Sequence, residues 1–150
     1  MRPTELVFVD TNVFLYARDD REPSKQAAAV RWLSVLANRG ILVVSPQVLG
    51  EFLHVTLRGK LPITADEARR ATLAFETYSQ GAVDLELIRI AWSLRQETAY
   101  QWWDCAILGA AVRAGCRYLL TEDLQRGRTL HGITILNPFT VGPEAVGADH

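Results

Sequence analysis

Short apolar runs alternating with longer amphipathic stretches predict an α/β fold, with a parallel sheet buried between helices. Three observations carry this expectation. The runs at 5–9, 41–44, 117–120 and 134–136 are short and rich in Val, Ile and Leu, as strands buried on both faces are. The stretches between them repeat apolar residues at helical spacing. The chain of 150 residues suits one hydrophobic core. A single domain over residues 1–140 is expected, followed by a flexible tail at 141–150 that is rich in Gly and Ala.

Taken in order, the first run ends at Asp10, and residues 11–17 continue as a helix with Val13, Phe14 and Ala17 on one face. A charged loop follows over 18–23. Ser24 is placed to cap an amphipathic helix running to about Asn38, which Gly40 stops. The run at 41–44 leads into Ser45-Pro46, a cap with Pro at the first helical position, opening a helix to about Leu57. Thr64 and Glu67 have capping-box spacing ahead of a helix to about Tyr78. A short strand near Ala82 and Val83 precedes Asp84, which can cap a helix to about Thr98. A helix from about Asp104 to Ala114 ends at Gly115. The run at 117–120 is the next strand, residues 121–124 form a turn, and 134–136 make the last strand.

The composition narrows the function classes. With 49% hydrophobic and 22% charged residues, the chain has a globular balance and not a disordered one. The apolar stretch from Cys105 to Val112 falls far short of the ~20 residues that span a bilayer. The apolar run before Asp10 is too short for a secretory h-region. A cytoplasmic protein without membrane contact is expected. Cys105 and Cys116 fit buried reduced thiols better than a disulfide framework. The net charge of −1 does not announce a nucleic-acid binder. Lys25 and Lys60 are nevertheless the sole lysines, and Arg grips phosphates with a planar fork.

Four acids stand where the local pattern calls for something else. Asp10 and Asp123 lie at the C-terminal ends of expected buried strands, where open parallel sheets bind ligands. Asp104 heads the stripe formed by Ile107, Leu108 and Ala111. Glu51 falls beside Val48, Phe52 and Val55, and neither it nor Asp104 has an Arg or Lys one helical turn away. Local uses remain open for each: caps for Asp10 and Asp104, a turn for Asp123, and a solvent-facing position for Glu51. Taken together they suggest a seat for a hard divalent cation. Two carboxylates about 4 Å apart repel by ~4 kcal/mol at an effective dielectric of ~20.

The segments Phe8-Val-Asp-Thr-Asn-Val-Phe-Leu-Tyr16, Ser45-Pro-Gln-Val-Leu-Gly-Glu-Phe52, Trp103-Asp-Cys-Ala-Ile-Leu-Gly-Ala-Ala111 and Leu120-Thr-Glu-Asp-Leu124 resemble the motifs of PIN-domain nucleases. The likeness is to VapC-type toxins of toxin–antitoxin pairs and runs from Val7 to about Phe139. It implies an α/β/α sandwich around a five-stranded parallel sheet. It also implies a metal-dependent endoribonuclease that uses Mg²⁺ or Mn²⁺. The family's acids fall on Asp10, Glu51, Asp104 and Asp123. Asp10 would be the central ligand, and Glu51 would orient water or complete the shell. Thr11, Asn12 and Thr121 fall where supporting hydrogen bonds are expected, and Glu122 is an auxiliary acid or a turn residue.

The resemblance further implies an RNA substrate, a cognate antitoxin and a homodimer. Arg18, Arg21, Arg58, Lys60, Arg126 and Arg128 are candidates for gripping RNA, and Tyr100, Trp102 and Trp103 for stacking on its bases. His54 and His131 receive no role. Two other readings stand beside this one. One is a catalytically silent PIN-like module that binds RNA or protein. The other is a haloacid-dehalogenase-type phosphatase, which needs a second Asp where this chain has Asn12.

Overall fold

β1 (Val7–Val9) and β3 (Tyr118–Leu120) are parallel neighbours inside a five-stranded sheet, although their residues lie more than a hundred positions apart. The computed structural model describes residues 5–124 and 127–147. β2 (Leu42–Val43) flanks β1, and β5 (Ile133–Leu136) flanks β3, both in parallel. β4 (Thr129–Leu130) closes the far edge, giving the order β2-β1-β3-β5-β4. The helices are α1 (Thr11–Ala17), α2 (Pro23–Arg39), α3 (Pro46–Leu57), α4 (Ala65–Phe75), α5 (Leu85–Thr98) and α6 (Trp102–Arg113).

Every residue of β1 is buried: Val7, Phe8 and Val9 are all inaccessible, as are the consecutive Leu119 and Leu120 of β3. Side chains alternate between the two faces of a sheet, so burial of every residue means that helices cover both faces. Phe14, Leu33 and Phe52 bring α1, α2 and α3 together, with Phe75 of α4 edge-on to Phe14 at 4.7 Å. α5 packs along α6.

The fifth strand departs from the expected parallel sheet. β4 pairs antiparallel to β5 because only His131 and Gly132 separate them, at φ 52° and 81°. Two central residues with positive φ make the hairpin turn whose twist matches antiparallel strands. The expected strand at 82–83 does not form. Nearby, Val44, the residue after β2, makes a single parallel bridge with Ser79.

Helix starts follow local caps where a side chain is free to act. Thr64 and Glu67 form the reciprocal box at α4, and Asp84 accepts from Leu87 N at α5. Ser24 is not a cap, because α2 begins one residue earlier at Pro23, whose fixed φ and missing N–H suit the first turn. Ser45 sits at the cap of α3 but makes no capping hydrogen bond. α4 ends at Phe75, and its expected last turn tightens to a 3₁₀ turn at Glu76–Tyr78.

The segment expected to be loosely held is packed as far as Gly147. Buried Trp32 donates Nε1 to the carbonyls of Pro138 and Val141, both at 3.1 Å. Arg39 donates to the carbonyls of Val146 and Gly147, and the Val146 side chain is fully buried. An indole and a guanidinium on α2 thus satisfy carbonyls that a free tail would leave to water.

Candidate active site

Asp10 follows β1 directly and opens α1. Its Oδ1 accepts from Thr11 N at 2.7 Å, so the side chain caps the helix. Its Oδ2 accepts from the Thr121 hydroxyl at 2.8 Å, across from the end of β3. The cap expected of Asp10 therefore forms, and its second oxygen turns to the residue after β3. Burial pushes the Asp10 carboxyl up to about 6, against the two hydrogen bonds, and the charges of Asp123 and Glu51 add to the rise.

Thr121 is the hub. It is fully buried, donates to Asp10, and accepts from Asp123 N at 3.1 Å and from Asn12 Nδ2 at 3.4 Å. One donor and two acceptors use the hydroxyl's whole capacity. Asn12 Nδ2 also donates to Asp123 Oδ2 at 3.1 Å, while Asn12 Oδ1 is buried without a hydrogen-bond partner among the described residues. Asn12 thus ties α1 to the loop after β3.

Glu51 comes in from α3. The buried face of that helix runs through Val48, Leu49, Phe52 and Thr56, so Glu51 stands at the rim of the apolar stripe and not on it. The Thr11 hydroxyl donates to Glu51 Oε1 at 2.6 Å. Thr11 therefore holds two acids at once, Asp10 through its N–H and Glu51 through its hydroxyl. Asp104 lies in the first turn of α6, which starts two residues earlier, at Trp102. It is no cap; the helix N-terminus nevertheless favours its negative charge. Its carboxyl is raised by burial first and then by the charges of Asp123 and Glu51.

Among the described residues, none of the four acids makes a salt bridge. No set of three His, Cys, Asp or Glu side chains among them is arranged as a ready-made metal cage. The chemistry of the donors still suits a hard cation. Carboxylates from four segments face one another, and the buried Asn12 Oδ1 offers an acceptor that a water of a hydrated ion could satisfy.

A family model described as PIN domain matches residues 7–128. The chain belongs to the PIN domain family. No curated protein matches it in sequence. Solved structures share the fold of this PIN domain. A toxin–antitoxin complex from Klebsiella pneumoniae aligns with a TM-score of 0.61 at 16% identity, covering 90% of this chain and 99% of the other. VapBC2 from Rickettsia felis, bound to a DNA fragment from its promoter, aligns with a TM-score of 0.62 at 15% identity, covering 87% and 96%. Membership of the PIN family removes the phosphatase alternative, and Asn12 serves here as a donor to Asp123.

Other candidates scatter. Glu122 is engaged by Lys25, whose ammonium also lies 4.7 Å from the centre of the Tyr16 ring and 5.1 Å from that of Phe139. This clasp from α2 has no signal in the local sequence. Arg21 pairs with Asp19 and donates to the Lys60 carbonyl. Arg128 bonds the Tyr100 hydroxyl and lies over its ring. Arg18, Arg58 and Lys60 are exposed, and Arg126 lies outside the described residues. Trp102 packs on the core, whereas Trp103 is 66% exposed. His131 pairs with Glu97. Cys105 and Cys116 are buried and free, and burial pushes the Cys116 thiol up to about 12.

Proposed function

We propose that this PIN domain is a metal-dependent endoribonuclease, the toxin of a toxin–antitoxin pair acting in the cytoplasm. The observation that carries the reading is the convergence of its acids: Thr11 links Asp10 to Glu51, and Thr121 and Asn12 link Asp10 to Asp123, while burial first, and then the charges of Asp123 and Glu51, raises Asp10 and Asp104 above the usual carboxylate range. A protein with no use for this arrangement would neutralise it with a basic side chain, and among the described residues it does not. Asp10, Glu51, Asp104 and Asp123 are the residues that would hold Mg²⁺ or Mn²⁺. When bound, such an ion would neutralise the acids, activate a water near neutral pH and stabilise charge on the leaving oxygen of the phosphodiester.

The chain's own contribution is positioning. Thr11 and Thr121 clamp the two oxygens of Asp10, leaving that carboxylate one orientation. Asn12 fixes Asp123 from the side, and Thr11 orients Glu51. These partners do the work that carboxylate-orienting groups do around metal ligands. The likeness to solved toxin–antitoxin complexes supports an antitoxin partner, and a homodimer is part of the same proposal.

The test incubates the purified, antitoxin-free chain with structured RNAs and Mg²⁺ or Mn²⁺, beside Asp10→Asn and a chelated control. Cleavage should need the ion, and Asp10→Asn should lose more than the roughly 10–100-fold that outer-shell partners of metal ligands command. Equal cleavage by both proteins would expose a contaminant. No cleavage by either would favour a silent binding module.

A further inference from the structure

We propose that the cleft between α3 and the start of α6 is a subsite for one nucleobase of a single-stranded RNA, with Trp103 as its stacking platform; this rests on the nuclease reading above. The cleft encloses about 430 Å³ and is lined by Gln47, Gly50, Glu51, His54 and Trp103. Trp103 is 66% exposed, unusual for the largest apolar side chain, and its neighbour Trp102 packs on the core.

The α3 side of the cleft follows the helical repeat: Gln47, Gly50, Glu51 and His54 share one face. Gly50 is a costly choice inside a helix, and a Cβ there would meet nothing within 4 Å. Packing does not require the glycine; a flat floor for a planar ligand does. Gln47, half-buried in the lining, has an Oε1 with no hydrogen-bond partner among the described residues, which a turn of the amide would bring to the cleft. It is an acceptor suited to an exocyclic amino group.

Charge selects the part of the nucleotide. Glu51 forms one wall, and among the described residues no Arg or Lys lines the cleft, so a phosphate is repelled and a neutral aromatic ring is not. The volume is ample for one planar group. Glu51 also accepts from the Thr11 hydroxyl, and Thr11 N donates to Asp10, so the cleft adjoins the acids. Trp103 immediately precedes Asp104, so platform and acid ride on one turn of α6. A base stacked on Trp103 would thereby set which phosphodiester reaches the acids.

Two measurements test this. In the first, a short RNA with a mapped cut is remade with single abasic replacements flanking the cut. One replacement should lower kcat/KM of the native chain by roughly tenfold to a hundredfold, the range for base–aromatic stacking. Trp103→Ala should show the same loss on the intact RNA and no further loss on the abasic one, while Trp103→Phe retains most activity. Additive losses, or a Trp103→Ala chain of native activity, would overturn the proposal. The second measurement does not need cleavage. Short single-stranded oligoadenylate should quench the tryptophan fluorescence of Asp10→Asn, and adding Trp103→Phe should remove that quench. If nothing is cleaved but the quench depends on Trp103, the nuclease reading fails and the subsite survives. If Trp103→Phe leaves the quench intact, or sedimentation shows that Trp103→Ala merely splits a dimer and RNA causes no quench, the subsite is refuted.

Discussion

Thr121 shows how much a single hydroxyl can organise. It is buried, and all its hydrogen-bonding capacity goes to Asp10, Asp123 and Asn12. Thr121→Val keeps the shape and removes all three bonds. Cleavage should fall roughly 10–100-fold with little change in circular dichroism, and Thr121→Ser should restore most of it. Asp10 makes a second prediction. Its carboxyl titrates near 6 in the folded chain against an ordinary 3.8. Between those values the folded state binds more protons than the unfolded one. Stability of the metal-free protein should therefore fall as pH rises from about 4 to above 6, by a quantity of order 3 kcal/mol. Urea titrations across that range check it, and Asp10→Asn should flatten the profile. A profile rising with pH in both proteins would contradict it.

At the scale of elements, what could be read from the sequence depended on how local the cause was. α1, α4 and α5 begin at Asp10, Thr64 and Asp84, whose side chains cap their own helices, so three or four residues suffice to place them. α2 and α6 start earlier than Ser24 and Asp104 suggest, because Pro23 and Gln101 take the terminal positions. β4 has two residues and no apolar pattern of its own; its pairing is dictated by the turn at His131 and Gly132. That turn yields a prediction. Gly132 sits at φ 81°, where a Cβ costs roughly 1–2 kcal/mol. Gly132→Ala should lower the unfolding midpoint, and Gly132→Asn should lower it less. Asp10 and Asp123 were legible as acids at strand ends. Glu51 was legible as an anomaly but misplaced, since helical period alone cannot separate the rim of a stripe from its centre. The cleft under Trp103 brings α3 and α6 together, and the Lys25 clasp brings α2 to the loop after β3. Only tertiary packing makes either.

The whole molecule couples the acids to stability and the C-terminal segment to the core. A divalent ion that binds the folded chain alone should raise the unfolding midpoint by about 5–10 °C at ~100 times its dissociation constant. Thermal scans with Mg²⁺ or Mn²⁺ at matched ionic strength check this, and a midpoint indifferent to the ion would count against a preformed acidic seat. Removing residues 141–150 would strip the cover from Trp32 and lose the buried Val146. At ~1.5–3 kcal/mol for one such side chain, the midpoint should drop by several degrees.

The parallel pairing of β1 with β3 also governs when the centre comes into being. A nascent chain carries Asp10 and Glu51 early, but Asp104, Thr121 and Asp123 emerge only in its last third. Until then Asp10 lacks its clamp and the acids have no common pocket. Chain order thus sets the order of assembly: the pocket that the proposed activity requires can close only after β3 has been made and has paired with β1.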